Sequence, residues 1–136
     1  MSRTPRELLE NVRTIAVVGC STQPHKAAHR IPAILQAAGY RIIPVHRTAS
    51  QILREPAYPT LADIGQPVDL VNVFRPSAEC AGVARQAVDV GAPALWLQLG
   101  ISSPEARRIA ESAGMDYVEN DCTGARVQAW GVRAPQ

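Results

Sequence analysis

"TIAVVGCSTQPHKAAHRIP", residues 14–32, decides how this chain is read. Thr14 to Val18 form an apolar run rich in β-branched residues with no polar alternation, the pattern of a strand buried on both faces. Gly19 ends the run, a short polar loop follows, and Lys26 and Arg30 lead toward a helix. A strand that ends in glycine and gives way to a helix start makes a seat for phosphate. Backbone N–H groups can approach an anion there, Ser21 and Thr22 add hydroxyl donors, and a helix N-terminus favours negative charge. The dinucleotide fingerprint G-x-G-x-x-G is absent, because Gly19 stands alone. Pro32 fits poorly inside a helix, so the helix is expected to start near it, with Ile34, Leu35 and Ala38 inward and Gly39 as its stop.

The same alternation continues outward from this stretch. Thr4-Pro5-Arg6-Glu7 reads as a capping box opening a short helix over about residues 5–12. "YRIIPV" (40–45) is the second strand, residues 46–60 a loop with one turn, and "LADI" (61–64) a short helical bridge. "VDLVNVF" (68–74) is the third strand, and residues 77–90 repeat apolar positions at helical spacing. "APALWLQ" (92–98) is the fourth strand, and Ser102 or Ser103 caps a helix beginning at Pro104. "GMDYVEN" (114–120) is the fifth strand, and a C-terminal tail runs over about residues 125–136. Strands alternating with helices predict an α/β fold: a Rossmann-like three-layer sandwich with a mostly parallel five-stranded sheet and helices on both faces. At 136 residues the chain is expected to be one domain with its own core.

Composition bounds the function. A formal charge of +2, with cations scattered along the chain and no RNA-binding aromatic motif or zinc-finger spacing, argues against nucleic acid. No apolar run approaches the ~20 residues that span a bilayer, and the N-terminus has no apolar core of signal-peptide length. Cys20, Cys80 and Cys122 are odd in number and far apart, without C-x-x-C, so they read as reduced thiols of a cytoplasmic protein.

In such sheets ligands sit beyond the carboxyl ends of the strands, where strand order reverses. The residues there are Gly19, Cys20 and Ser21 after the first strand, with Lys26 and Arg30 following as candidates to touch phosphate. After the second come His46 and Arg47, where NAD-binding domains usually place an acid on the ribose diol. Two basic residues would instead welcome a ribose that bears a phosphate, as in NADP or coenzyme A. The third strand ends in Phe74-Arg75-Pro76, an aromatic face and a guanidinium. The fourth ends in Gln98-Leu99-Gly100, where a polar amide needs either a ligand or a loop partner. Asn120-Asp121-Cys122 closes the set. Cys20 with His25 and His29 raises a Cys–His nucleophile or a metal site, but their spacing fits neither, and no paired carboxylates or G-x-S-x-G elbow converge.

Taken in order, "IAVVGCS", "GYRIIPV", "YPTLADI", "VDLVNVFRP", "LWLQLGI", "AESAG" and Cys122 resemble the stand-alone CoA-binding domain proteins, themselves similar to the N-terminal domain of the succinyl-CoA synthetase α-subunit. The resemblance covers about Thr14 to Cys122. It implies a Rossmann-type fold holding coenzyme A, with the pyrophosphate on Gly19, Cys20 and Ser21, and with His46, Arg47, Phe74, Arg75 and Gln98 to Gly100 matching the following strand ends. The chain departs from the family pattern in several places. Cys20 stands where Ala is usual, Ala28 where Ser is frequent, and His46-Arg47-Thr48 where Asn-Pro and a basic residue are common. Leu53-Arg54 replaces Leu-Gly, and Asp121 replaces Arg.

The resemblance therefore implies a cytoplasmic module that binds coenzyme A or acyl-CoA without catalysing a reaction, its macromolecular partner a second copy or an acyl-CoA enzyme. The synthetases' phosphorylated histidine has no marked counterpart here. Two rivals stand beside this reading: an NADP-dependent oxidoreductase, and a thiol redox role through a mixed disulfide with coenzyme A.

Overall fold

A computed structural model describes residues 2–136. In chain order the elements are α1 (Pro5–Asn11), β1 (Thr14–Val18), α2 (Ala27–Ala37), β2 (Arg41–Val45), β3 (Gln51–Ile52), β4 (Glu55–Pro56), β5 (Leu70–Val73), α3 (Cys80–Asp89), β6 (Ala94–Leu97), α4 (Pro104–Ser112), β7 (Asp116–Val118) and α5 (Thr123–Trp130). Short 3₁₀ turns at Leu61–Ile64 and Ser77–Glu79 precede β5 and α3. Five strands form one sheet in the order β2-β1-β5-β6-β7, every pair parallel.

The strands alternate their apolar side chains between two cores. Along β1, Ile15 and Val17 enter the cluster under α1, α2 and α5, whereas Ala16 and Val18 enter the cluster under α3 and α4. Along β6, Ala94 and Trp96 face the first cluster and Leu95 and Leu97 the second. A strand buried on both faces needs continuous apolarity, which is why these runs read as they do. The result is an α/β Rossmann-like three-layer sandwich.

Two stretches differ from the expectation. Residues 46–60 carry a small antiparallel hairpin, β3–β4, turned by Leu53 (φ 54°) and Arg54 (φ 65°). Two-residue hairpin loops favour positive φ at both central positions, normally met by Asn-Gly. Leu-Arg gives no such signal in sequence. The segment then runs along the outer edge of β2, where Tyr58 N–H donates to Pro44 O (3.0 Å) and His46 N–H to Tyr58 O (2.9 Å). That pairing covers an edge that would otherwise be open.

Helix α2 begins at Ala27, five residues before Pro32, and Pro32 lies buried inside it. The expected start at Pro32 is thus corrected. Proline removes one helical hydrogen bond, that to the carbonyl of the residue four places earlier, here Ala28. That carbonyl instead accepts the Ser21 N–H at 3.0 Å, so it is not left unpartnered. Residues 125–130, expected as the start of a tail, belong to α5, which is capped by Gly131. The remaining residues dock on the domain: Ala134 N–H donates to Ala38 O (2.9 Å) and Arg13 Nη2 to the Gln136 carbonyl (2.9 Å). Among the described residues no helix is long and apolar enough to cross a membrane.

Candidate functional site

The strand order makes the chain pass from β1 outward to β2 and then back across to β5, so strand order reverses between β1 and β5. The carboxyl ends of β1, β2 and β5 are level, Val18 pairing with both Val45 and Val73. Above them opens a cleft of about 760 Å³, large enough for a nucleotide-sized ligand.

Gly19 lines it with φ +87°. A Cβ there would lie 2.8 Å from Arg75 Cδ and 3.2 Å from the Phe74 carbonyl, so the absence of a side chain lets the third strand end pack across the first. The loop after Gly19 is held by short bonds: Gly19 N–H to Val45 O (3.2 Å), Ser21 N–H to Ala28 O (3.0 Å) and Gln23 N–H to Ser21 Oγ (3.0 Å). The backbone N–H groups of Cys20, Thr22, Ala27 and Ala28 find no acceptor among the described residues. Helix α2 opens without a side-chain cap because its N-cap residue is Lys26, whereas α1, α4 and α5 are capped by Thr4, Ser103 and Cys122. Uncommitted N–H groups at a helix start, beside a glycine turn, are what an anion needs.

The cations at the cleft are of two kinds. Arg75 is held by Glu79, with Nε and Nη2 3.1 and 2.9 Å from Oε1 and Nη2 3.0 Å from Oε2. The pair occupies one edge of the guanidinium. Lys26 and Arg47 have no carboxylate partner among the described residues and both line the cleft. His46 lines it as well, but its Nδ1 accepts from the N–H groups of Thr48 (3.1 Å) and Ala49 (2.9 Å). That places the ring proton on Nε2 and makes His46 the organiser of the turn that carries Arg47. Phe74 is half-buried, packed against the core under α2 while still lining the cleft.

Cys20 lies at the cleft but is 1% exposed, and burial pushes its thiol up to about 12. A thiol so far from ionisation at neutral pH is a poor nucleophile, and Cys122, whose Sγ caps α5 by accepting the Ala125 N–H (3.4 Å), does not line the cleft. The thiol redox rival is therefore not favoured. His25 and His29 lie outside the cleft lining, and among the described residues no three His, Cys, Asp or Glu side chains are placed to hold a metal ion.

The structure thus brings Gly19, Cys20, Ser21, Lys26, His46, Arg47, Phe74 and Arg75 together in one cleft. Arg30, Gln98 and Gly100 are not among its lining residues. Arg30 lies in the exposed first turn of α2, its Nε 3.4 Å from the His25 carbonyl. Gln98 is buried, and its Oε1 accepts from Asn72 Nδ2 (3.2 Å) and from the Thr123 N–H (3.4 Å). Thr123 Oγ1 in turn donates to Asn72 Oδ1 (3.1 Å), so the amide found its partners within the core. Gly100 turns at φ +85°, with its N–H on Asn120 Oδ1 (2.7 Å). Glu79, Val83 and Gln86 of the third crossover also line the cleft, although none stands at a strand end. Their spacing of four and three was visible as one helix face, yet nothing in sequence showed that this face borders the cleft.

Comparison with known proteins agrees with the fold. A model of the CoA binding domain family matches residues 13–128. The chain is 37% identical over 117 residues to the uncharacterized protein YneT of Bacillus subtilis, covering 86% of this chain and 87% of that one. Among solved structures, a hypothetical protein from Pyrococcus horikoshii superposes with a TM-score of 0.89 at 29% identity, covering 92% of this chain and 88% of that one. A Thermus thermophilus structure gives 0.86 at 32% identity, covering 91% and 94%. The dinucleotide-forming acetyl-coenzyme A synthetase 1 of Ca. Korarchaeum cryptofilum gives 0.72 at 27% identity, over 84% of this chain and 27% of that longer one. This chain belongs to the CoA binding domain family.

Proposed function

We propose that the cleft between the ends of β1, β2 and β5 binds coenzyme A or an acyl-CoA. The observation that carries this is the pairing of an uncapped α2 start, with four uncommitted N–H groups nearby, and two uncompensated cations, Lys26 and Arg47. Coenzyme A offers anions for both: a pyrophosphate for the loop and helix start, and a ribose 3′-phosphate for a cation at the second strand end. Lys26 would neutralise the pyrophosphate, Arg47 would read the 3′-phosphate, and His46 would hold Arg47's turn in place. Family membership supports coenzyme A over NADP. The chemistry of the cleft lining supports binding without catalysis: among the described residues its one acid is Glu79, committed to Arg75, and its cysteine is a buried thiol. The module would then serve as carrier or sensor, with an acyl-CoA enzyme or a second copy as partner.

Calorimetric titration with coenzyme A, dephospho-CoA and NADP at one ionic strength tests this. The expected result is saturable binding of coenzyme A, weaker binding of dephospho-CoA, and affinities that fall as salt rises. Binding of NADP with no response to coenzyme A would overturn the reading in favour of an oxidoreductase.

A further inference from the structure

Pro32 stands where a helix least tolerates proline, in the interior of an eleven-residue helix. Its position relative to the cleft gives that residue a role. Proline at 32 has no N–H to offer the Ala28 carbonyl, four residues earlier on the same helix. The Ala28 carbonyl accepts the Ser21 N–H instead, at 3.0 Å. Ser21 and Ala28 both line the cleft. The bond therefore ties the loop after β1 directly to the first turn of α2, the two segments whose uncommitted N–H groups face the same ligand in the reading above.

We propose that Pro32 is a positioning residue for the cleft: by withholding one helical hydrogen bond it reserves the Ala28 carbonyl for Ser21 and so sets the loop against the helix start. The proposal rests on the coenzyme A reading for its consequence, but not for its geometry. With any other residue at 32, a backbone N–H would point along the helix at the Ala28 carbonyl and compete with Ser21 for it. The Ser21 N–H would lose part of its hold, and the loop would have to be ordered by the ligand at the ligand's expense. Helix α2 itself would gain a bond and a better helix former. Replacing a merely structural proline would leave the loop alone, whatever it did to stability.

The test uses the full chain with Pro32→Ala, and with lactic acid at position 32, an alanine analogue whose ester oxygen again offers no N–H. Amide hydrogen exchange at Ser21 is read in the ligand-free protein, alongside thermal unfolding and coenzyme A titration. The expected result for Pro32→Ala is an unchanged or higher unfolding midpoint, Ser21 exchange faster by roughly tenfold, and coenzyme A affinity lower by a similar factor, the scale of one hydrogen bond. The lactic acid variant should return both readouts to those of the parent. Unchanged Ser21 exchange in Pro32→Ala would overturn the proposal. So would loss of Ser21 protection, or of folding, in both variants, because the pyrrolidine ring and not its missing N–H would then hold the loop. If the parent protein does not bind coenzyme A, the ligand reading falls while the exchange comparison still decides whether Pro32 holds Ser21.

Discussion

Three cations border the cleft, and their partners distinguish them. Arg75 is spoken for by Glu79, whereas Arg47 and Lys26 have no carboxylate partner among the described residues. A ligand phosphate gains most from a cation that need not first give up a carboxylate. Arg47→Ala is therefore expected to weaken coenzyme A by about 1.5–3 kcal/mol, the range for a bond to a charged group, while leaving dephospho-CoA nearly unchanged. Calorimetry on both ligands checks this, and equal losses would remove Arg47 from the 3′-phosphate. That the second strand ends in basic residues was legible directly. That His46 spends its Nδ1 on the backbone was not, because which nitrogen of a histidine is engaged depends on how the next three residues turn. Cys20 carries a second prediction at this scale. Its thiol is pushed up from an ordinary value of about 9 to about 12 by burial, so the folded state keeps a proton that the unfolded state releases. The stability this represents is complete below about pH 9 and is lost as pH rises toward 12. Denaturant unfolding at pH 7 to 11 should show that decline, and Cys20→Ala should flatten it. An equal slope in the variant would assign the alkaline loss to other groups, of which Tyr117 and Tyr40, both pushed up chiefly by burial, are the candidates.

At the scale of elements, the two segments that sequence read least well are the two that use unusual backbone. Proline in the interior of α2 is disfavoured as a local matter, and only the distant Ser21 N–H reveals what replaces its missing bond. Leu53 and Arg54 turn the β3–β4 hairpin at positive φ with neither glycine nor asparagine, so the turn is held by its surroundings, including Gln36 Nε2 on the Leu53 carbonyl (3.0 Å). Such backbone costs on the order of 1 kcal/mol at each non-glycine residue. Arg54→Gly should therefore stabilise the protein by about 0.5–1 kcal/mol, seen as a higher denaturant midpoint at constant slope. A lower midpoint would mean that the Arg54 side chain supplies more than its backbone takes away. The other elements were readable because their local signals agree with their tertiary setting. Thr4 and Glu7 close the capping box (3.1 and 2.9 Å), and Ser103 caps α4 through the Ala106 N–H (3.0 Å).

Across the whole molecule, the parallel sheet and its two cores follow from four buried apolar runs and a short, half-buried edge strand, β7, and the cleft follows from the strand order they adopt. What remained hidden is which strand ends look outward. Gln98 stands at a strand end yet points into a network with Asn72 and Thr123 that joins β5, β6 and the start of α5. A polar residue there looks the same in sequence whether it meets a ligand or a neighbour. Gln98→Ala is expected to lower stability by about 1–3 kcal/mol, the cost of leaving buried partners unpaired, with coenzyme A affinity of the folded protein unchanged. The ligand's location itself is tested most directly by following backbone amide resonances during titration with coenzyme A. Saturable shifts are expected at Gly19 to Gln23, Ala27, Ala28, His46 to Thr48, Phe74 and Arg75, with Gly100 and Asn120 still. Shifts gathered around Gly100 and Asn120, or none that saturate, would contradict that location.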